Sequence, residues 1–251
     1  MKTVKLKNVV LGEGKPKICI PFVDDTREGL AASARRALSF PCDLVEWRAD
    51  YYNIKNDPEE TAAAIRTLRR ILGDIPIFYT MRTGQEGGMS DLTDEEYECT
   101  LVTAIETGRP DMIDVELSRG DDFMKDMVKR AHASGIAVVA SRHAFRDTPP
   151  KEEIVETMRR MQVLGADIAK FAAMANSARD VLTLLDATLT MRELYGDTPL
   201  ITMSMGKPGI VSRLCGEVFG SCLTFGTAGA SSAPGQIPAD RMKHILDILH
   251  D

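Results

Sequence analysis

The stretch "ADIAKFAAM" (166–174) followed by "SARDVLTLLDATLTMREL" (177–194) pairs a short apolar run with one of helical length that opens on a serine. A continuous apolar run of that size fits a buried strand, and the stretch after it fits an amphipathic helix. The same couplet recurs along the chain. Upstream, "KICIPF" (17–22) precedes "TREGLAASARRALS" (26–39), and "CDLVEWRAD" (42–50) precedes "PEETAAAIRTLRRIL" (58–72). "PIFYTMR" (76–82) leads to "TDEEYECTLVTAIETG" (93–108), where Thr93 and Glu96 have capping-box spacing. "DMIDVEL" (111–117) leads to "DDFMKDMVKRAHASG" (121–135), and "IAVVASRHAF" (136–145) to "PKEEIVETMRRMQVLG" (150–165), with Gly135 and Pro150 placed for a helix stop and a helix start. Downstream come "PLITMSM" (199–205) with "GIVSRLCGEVFG" (209–220), and "SCLTFG" (221–226) with "PADRMKHILDILH" (238–250).

Eight strand–helix units predict parallel strands joined by right-handed crossovers. At 251 residues they favour a closed (β/α)8 barrel, a TIM barrel, over an open doubly wound sheet. The extra segment 1–12 has strand character and is expected to cap the N-terminal end of the barrel. With no linker, low-complexity tract or repeat beyond the βα period, 1–251 reads as one domain. A net charge of −6 argues against nucleic-acid or polybasic membrane partners, and no apolar run reaches the ~20 residues of a membrane span. The N-terminus alternates charged and β-branched residues instead of forming a secretory signal. The five cysteines are scattered without a CxxC pair, which predicts free thiols in a reducing cytoplasm.

Within this pattern Lys170 is out of place. Its neighbours Ile168, Ala169, Phe171, Ala172 and Ala173 are apolar, and an ammonium among them loses its water. In such barrels chemistry sits at the C-terminal strand ends, so the polar residues there matter. They are Glu46 and Arg48 on the second strand, Arg82 on the third with Glu86 just beyond, and Asp114 and Glu116 on the fourth. His143 lies on the fifth strand and Lys170 on the sixth; Met203 and Met205 end the seventh, where the bland expectation is packing. Arg213 is expected in the short loop that follows. "GTAGASSAPGQIP" (226–238), carrying Ser232 and Gln236, reads as a loop able to act as a lid. His132, His244 and His250 fall in helical stretches and read as surface residues. Glu46/Arg48 and Asp114/Glu116 could equally be structural salt bridges.

A desolvated lysine beside a histidine suits imine chemistry. Burial and nearby arginines favour the neutral amine, which attacks ketones and aldehydes to form a Schiff base. His143 could then take a proton from the adjacent carbon and return one to a leaving hydroxyl, with Glu86 holding the imidazole. Three arginines imply a carboxylate-bearing substrate. β-Elimination of water and class I aldol cleavage both fit. A metal site of Glu46, Asp114, Glu116 and His143 would leave Lys170 unexplained, and a non-catalytic binding protein would show a gap in the set.

"LVEWRAD" (44–50), "FYTMRTGQEGG" (78–88), "DMIDVEL" (111–117), "SRHAF" (141–145), "GADIAKFAAM" (165–174), "ITMSMGKPGIVSRLCGEVFGSCLTFG" (201–226) and "SAPGQI" (232–237) run in order and closely resemble type I 3-dehydroquinate dehydratase. The resemblance implies a homodimeric barrel without metal or organic cofactor. It would convert 3-dehydroquinate to 3-dehydroshikimate by syn elimination, in aromatic amino acid biosynthesis or in quinate breakdown. It further implies Lys170 as the Schiff-base lysine, His143 as general acid/base and Glu86 as the carboxylate that orients it. Arg213 becomes the substrate-carboxylate binder. Glu46, Arg48, Arg82, Ser232 and Gln236 hold hydroxyls and carboxylate, and Met203, Met205 and Phe225 contact the ring. Another class I Schiff-base aldolase is the runner-up. The family's common aspartate after the histidine is Ala144 here, on the strand face opposite His143.

Overall fold

In the computed structural model, which describes residues 2–54, 57–229 and 231–250, an antiparallel hairpin comes first, with β1 (Val4–Leu6) against β2 (Val9–Leu11). Strand and helix then alternate through β3 (Lys17–Phe22), α1 (Arg27–Ala37), β4 (Leu44–Arg48), α2 (Pro58–Leu72), β5 (Ile77–Thr80), α3 (Asp94–Thr103), β6 (Met112–Glu116) and α4 (Asp121–Ala133). The second half runs β7 (Ala137–Ala144), α5 (Lys151–Val163), β8 (Ile168–Met174), α6 (Ala178–Leu194), β9 (Leu200–Met205), α7 (Ile210–Leu214), α8 (Gly216–Phe219), β10 (Leu223–Thr227), the two-residue β11 (Ile237–Pro238) and α9 (Ala239–His250).

The strands β3 to β9 pair in parallel in chain order, and β10 adds to the free side of β3. A parallel bridge between Leu200 and Ser221, with Cys222 N donating to Leu200 O at 2.8 Å, joins β9 to the start of β10. The sheet therefore curls round on itself as a barrel. The expected capping box forms on α3, where Thr93 and Glu96 bond reciprocally, and the structure shows a second one on α6, from Ser177 and Asp180.

Alternation along each strand splits the core into two layers. Outward residues such as Ile18, Val45, Trp47, Tyr79, Val138 and Phe171 pack against the helices. Inward residues Cys19, Leu44, Phe78, Met112, Val139, Ile168, Ile201 and Leu223 fill the lower barrel, where Leu6, Val9 and Leu11 of the hairpin pack against them. The expected N-terminal plug is thus the β1–β2 hairpin.

Two expectations need correction. "GIVSRLCGEVFG" forms two short helices, broken at Cys215, so Arg213 sits on α7 and not in a loop. The break brings Gly216 against the chain at Ser221, where a Cβ would lie only 2.8 Å from the Ser221 carbonyl oxygen. The helix read over 93–108 leaves α geometry after Thr103 and closes with one π turn, Ala104–Gly108.

Candidate active site

One step up from the apolar lower layer, the inward positions turn polar on the five strands β4 to β8, while β9 and β10 stay apolar with Met203, Met205 and Phe225. Leu44 is followed by Glu46 and Arg48, Phe78 by Thr80 and Arg82, Met112 by Asp114 and Glu116, Val139 by Ser141 and His143, and Ile168 by Lys170. They open into a cleft of about 460 Å³ at the C-terminal mouth. Glu46, Arg48, Arg82, Glu86, His143, Lys170, Met203, Met205, Arg213, Phe225, Ser232 and Gln236 all line it, together with Gly87, Phe145, Ala172 and Ala233. The residues that the resemblance marks as catalytic or substrate-binding are all brought to this one cleft, whereas Asp114 and Glu116, also singled out at the strand ends, lie beneath it and do not line it. His132 and His250 lie outside it, on Asp167 and Glu217 respectively.

Lys170 is buried and faces inward between Ile168 and Ala172, while Ala169, Phe171 and Ala173 face the helices. Its Nζ lies 5.2 Å from the Phe78 ring centre and 5.1 Å from that of Phe225. It also donates to Asp114 Oδ2 at 3.1 Å and lies 3.5 Å from Glu46 Oε1. The sequence surrounded this amine with apolar groups and cations only; the fold adds two carboxylates. Strand register explains it, since β6 and β7 bring Asp114 and Ser141 onto the inner face next to Lys170.

Asp114 is shared. Its Oδ1 accepts from Ser141 Oγ at 2.5 Å, and Arg82 Nη2 lies 2.7 Å from its Oδ2 as an ion pair without hydrogen-bond alignment. Burial opposes ionisation of Asp114, but Arg82 and then Lys170 outweigh it and hold the carboxyl well below the usual carboxylate range. Arg82 Nη1 donates to Glu116 Oε1 at 2.9 Å and Ser141 Oγ at 3.0 Å. Glu116 also takes the Thr83 N–H and hydroxyl, while burial raises its pKa. The carboxylates weighed as metal ligands are thus each in contact with a cationic side chain. Among the described residues no three His, Cys, Asp or Glu groups converge to hold a metal.

His143 Nδ1 pairs with Glu86 Oε2 at 2.9 Å, and the His143 N–H donates to the same oxygen at 3.1 Å. A carboxylate only accepts, so the neutral imidazole carries its proton on Nδ1 and leaves Nε2 basic. Desolvation first, then Arg82 and Lys170, push the His143 pKa well below that of an ordinary histidine, against the pull of Asp114. The imidazole is therefore neutral at pH 7.

The arginines differ in how they are held. Arg48 donates to both oxygens of buried Asp50 at 2.7 Å. Desolvation disfavours its charge, but this pairing outweighs it and raises the pKa. Arg213 is buried; among the described residues its Nε and Nη1 have no hydrogen-bond partner, and Nη2 donates to Pro234 O at 3.0 Å. Burial lowers its pKa to about 10, so it stays charged at neutral pH. In the loop above, Ser232 N donates to Gln236 Oε1 at 2.9 Å and Gln236 Nε2 to Ser232 Oγ at 3.0 Å. Part of that loop, Ala230, lies outside the described residues.

The sequence did not single out Asp50 or Arg142, which donates to Glu86 Oε1 at 2.9 Å. The i, i+2 spacing in "EWRAD" was a signal for Asp50. Strand alternation pointed Arg142 away from the site.

A type I 3-dehydroquinase family model matches residues 18–251. The chain is 45% identical over 249 residues to the 3-dehydroquinate dehydratase of Bacillus licheniformis, covering 99% of this chain and 98% of that one. It superposes with a TM-score of 0.96 and 41% identity on the type I 3-dehydroquinate dehydratase of Clostridium difficile with covalently modified comenic acid, covering 99% and 98% of the two chains. The corresponding enzyme of Geobacillus kaustophilus gives 0.94 at 39% identity, with 99% and 96% covered. Likeness over the whole length, on a barrel whose inner rim carries the residues marked out by the sequence, places this chain in the type I 3-dehydroquinase family.

Proposed function

We propose that the protein dehydrates 3-dehydroquinate to 3-dehydroshikimate through an imine on Lys170, in the shikimate route of aromatic amino acid biosynthesis. The observation that carries this reading is a buried, inward-facing lysine in one cleft with a neutral histidine whose tautomer is set by Glu86. Arg213, charged and with two unpartnered nitrogens, takes the substrate carboxylate. Lys170 attacks the ketone carbon in its neutral form, and the carbinolamine loses water to give a protonated imine. His143 Nε2 takes a proton from the carbon next to the imine, leaving an enamine. It then gives that proton to the departing hydroxyl, which leaves as water. Hydrolysis of the imine consumes one water and frees the enone and the lysine. The balance is one water lost. Phe78 and Phe225 keep bulk water from the amine, while Glu46, 3.5 Å away, lies close enough to accept its proton.

The same reading takes the enzyme as a single-domain homodimer in the cytoplasm, needing no metal or organic cofactor. Five free cysteines accord with that compartment. The test is incubation with 3-dehydroquinate and borohydride. A reduced adduct on the Lys170 peptide by mass spectrometry, absent from Lys170→Met, is expected, with enone absorbance in untreated enzyme and full activity in chelator. No adduct and no enone would overturn the reading.

A further inference from the structure

Glu86 is completely buried, yet only one of its oxygens serves the histidine. Oε2 receives both His143 bonds, and Oε1 receives one, from Arg142 Nη1 at 2.9 Å. Arg82 approaches Oε2 only to 3.6 Å and spends its hydrogen bonds on Glu116 and Ser141. Among the described residues, Arg142 is therefore the one cation hydrogen-bonded to the carboxylate that orients the base. Its side chain is 44% exposed and comes in from the solvent side. It makes no second ion pair among the described residues, and Ala144, two residues along the same strand face, offers no carboxylate to compete.

We propose that Arg142 is a positioning residue for the acid–base step, clamping the oxygen of Glu86 that His143 does not use. A carboxylate tied at one oxygen alone can swing about its terminal torsion and carry the imidazole with it. Tied at both, it fixes the plane of His143 and keeps Nε2 on the substrate. The charged groups around the imidazole are Glu86, Arg82, Lys170, Asp114 and Arg48, with Arg142 behind Glu86. Removing Arg142 takes away a cation, so it favours the imidazolium and loosens its orientation at once.

This inference rests on the imine reading, and one experiment separates the two. Wild type, Arg142→Met and Arg142→Lys are compared by steady-state kinetics against pH and by borohydride trapping with 3-dehydroquinate. Arg142→Met is expected to lower kcat about five- to tenfold, a fraction of what a general base supplies. KM should stay within about twofold, and trapping on Lys170 should persist, because binding and imine formation do not use the clamp. The acid limb of kcat/KM should move up by about 0.5 unit, and Arg142→Lys should restore much of both changes. Unchanged kcat and pH profile in Arg142→Met overturns the clamp, as does a rise in KM alone. A loss that Arg142→Lys fails to rescue, with a lowered melting temperature, makes the residue merely structural and also overturns it. Failure of wild type to trap on Lys170 instead sinks the imine reading beneath it.

Discussion

Lys170 owes its surroundings to the two-residue period of a strand. Ala169, Phe171 and Ala173 serve the helix-facing core, and Ile168, Ala172 and Met174 share the lysine's face. The sequence made the residue conspicuous, because an unpaired ammonium in an apolar run is costly. Its partners were less legible. Asp114, Glu46 and the rings of Phe78 and Phe225 come from four other strands, so only closure of the barrel makes them neighbours. Nucleophile and base are separate groups, which gives a residue-level prediction. His143→Ala should still yield the borohydride-reduced Lys170 adduct while kcat falls about 10²- to 10⁴-fold, the span of general acid–base catalysis. Loss of trapping with loss of turnover would instead place His143 in imine formation. Arg142 shows where residue-scale reading stops. Alternation assigns it to the outer face, and a long side chain reaching round the strand end to Glu86 leaves no trace in a periodicity.

Elements carry these side chains with different rigidity. The ladder bonds of β7 and β8 run from Val139 opposite Ile168 to Ala144 opposite Ala173, so His143 and Lys170 ride on one rigid surface. Arg213 depends on something smaller. The helix α7 is five residues long, and its N-terminal end is pinned by Ser212 Oγ, which accepts from Ser204 N at 2.9 Å and donates to Gly209 O at 2.6 Å. The close approach requires glycine at 209, where a Cβ would meet the Ser204 carbonyl oxygen at 2.2 Å. That atom is strand backbone and cannot give way, so Gly209→Ala must push α7 off β9 and carry Arg213 with it. Losing a charge-assisted contact of this kind is worth about 1.5–3 kcal/mol, or roughly ten- to hundredfold in KM. Kinetics with 3-dehydroquinate should show that rise, with a lowered melting temperature, and unchanged KM would refute the dependence. The sequence had α7 and α8 as one helix because its apolar spacing runs through Cys215. What breaks it is a backbone approach between Gly216 and Ser221, a tertiary event without a local signature.

At the scale of the molecule, eight strand–helix couplets, a strand-like N-terminal plug and the capping box of α3 were legible because each is written in local periodicity and local capping chemistry. The charge balance of the barrel mouth was not, since it depends on how many opposite charges converge. Three cations, Arg82, Lys170 and Arg48, meet Glu46, Asp50, Glu86, Asp114 and Glu116 there, all of them buried. Such a network couples stability to pH. Folded His143 titrates well below the ordinary histidine value of about 6.5, so between the two the unfolded chain binds more protons. Its contribution is fully present above pH ~6.5 and is lost as pH falls toward the folded value. Asp114, also depressed, acts in the same direction below pH ~4, whereas Glu116, raised by burial, favours the folded state on the acid side of its own folded value. Between about pH 6.5 and 5.5 His143 weakens the fold as pH falls, Glu116 with its raised folded value pulls the other way, and Asp114, with both of its values lower, is silent. Calorimetric melting in that window should show the transition falling as pH is lowered, and His143→Gln, which cannot take the proton, should flatten the slope. A wild-type transition that rises on acidification, or a slope that His143→Gln leaves intact, would mean that another group carries the linkage.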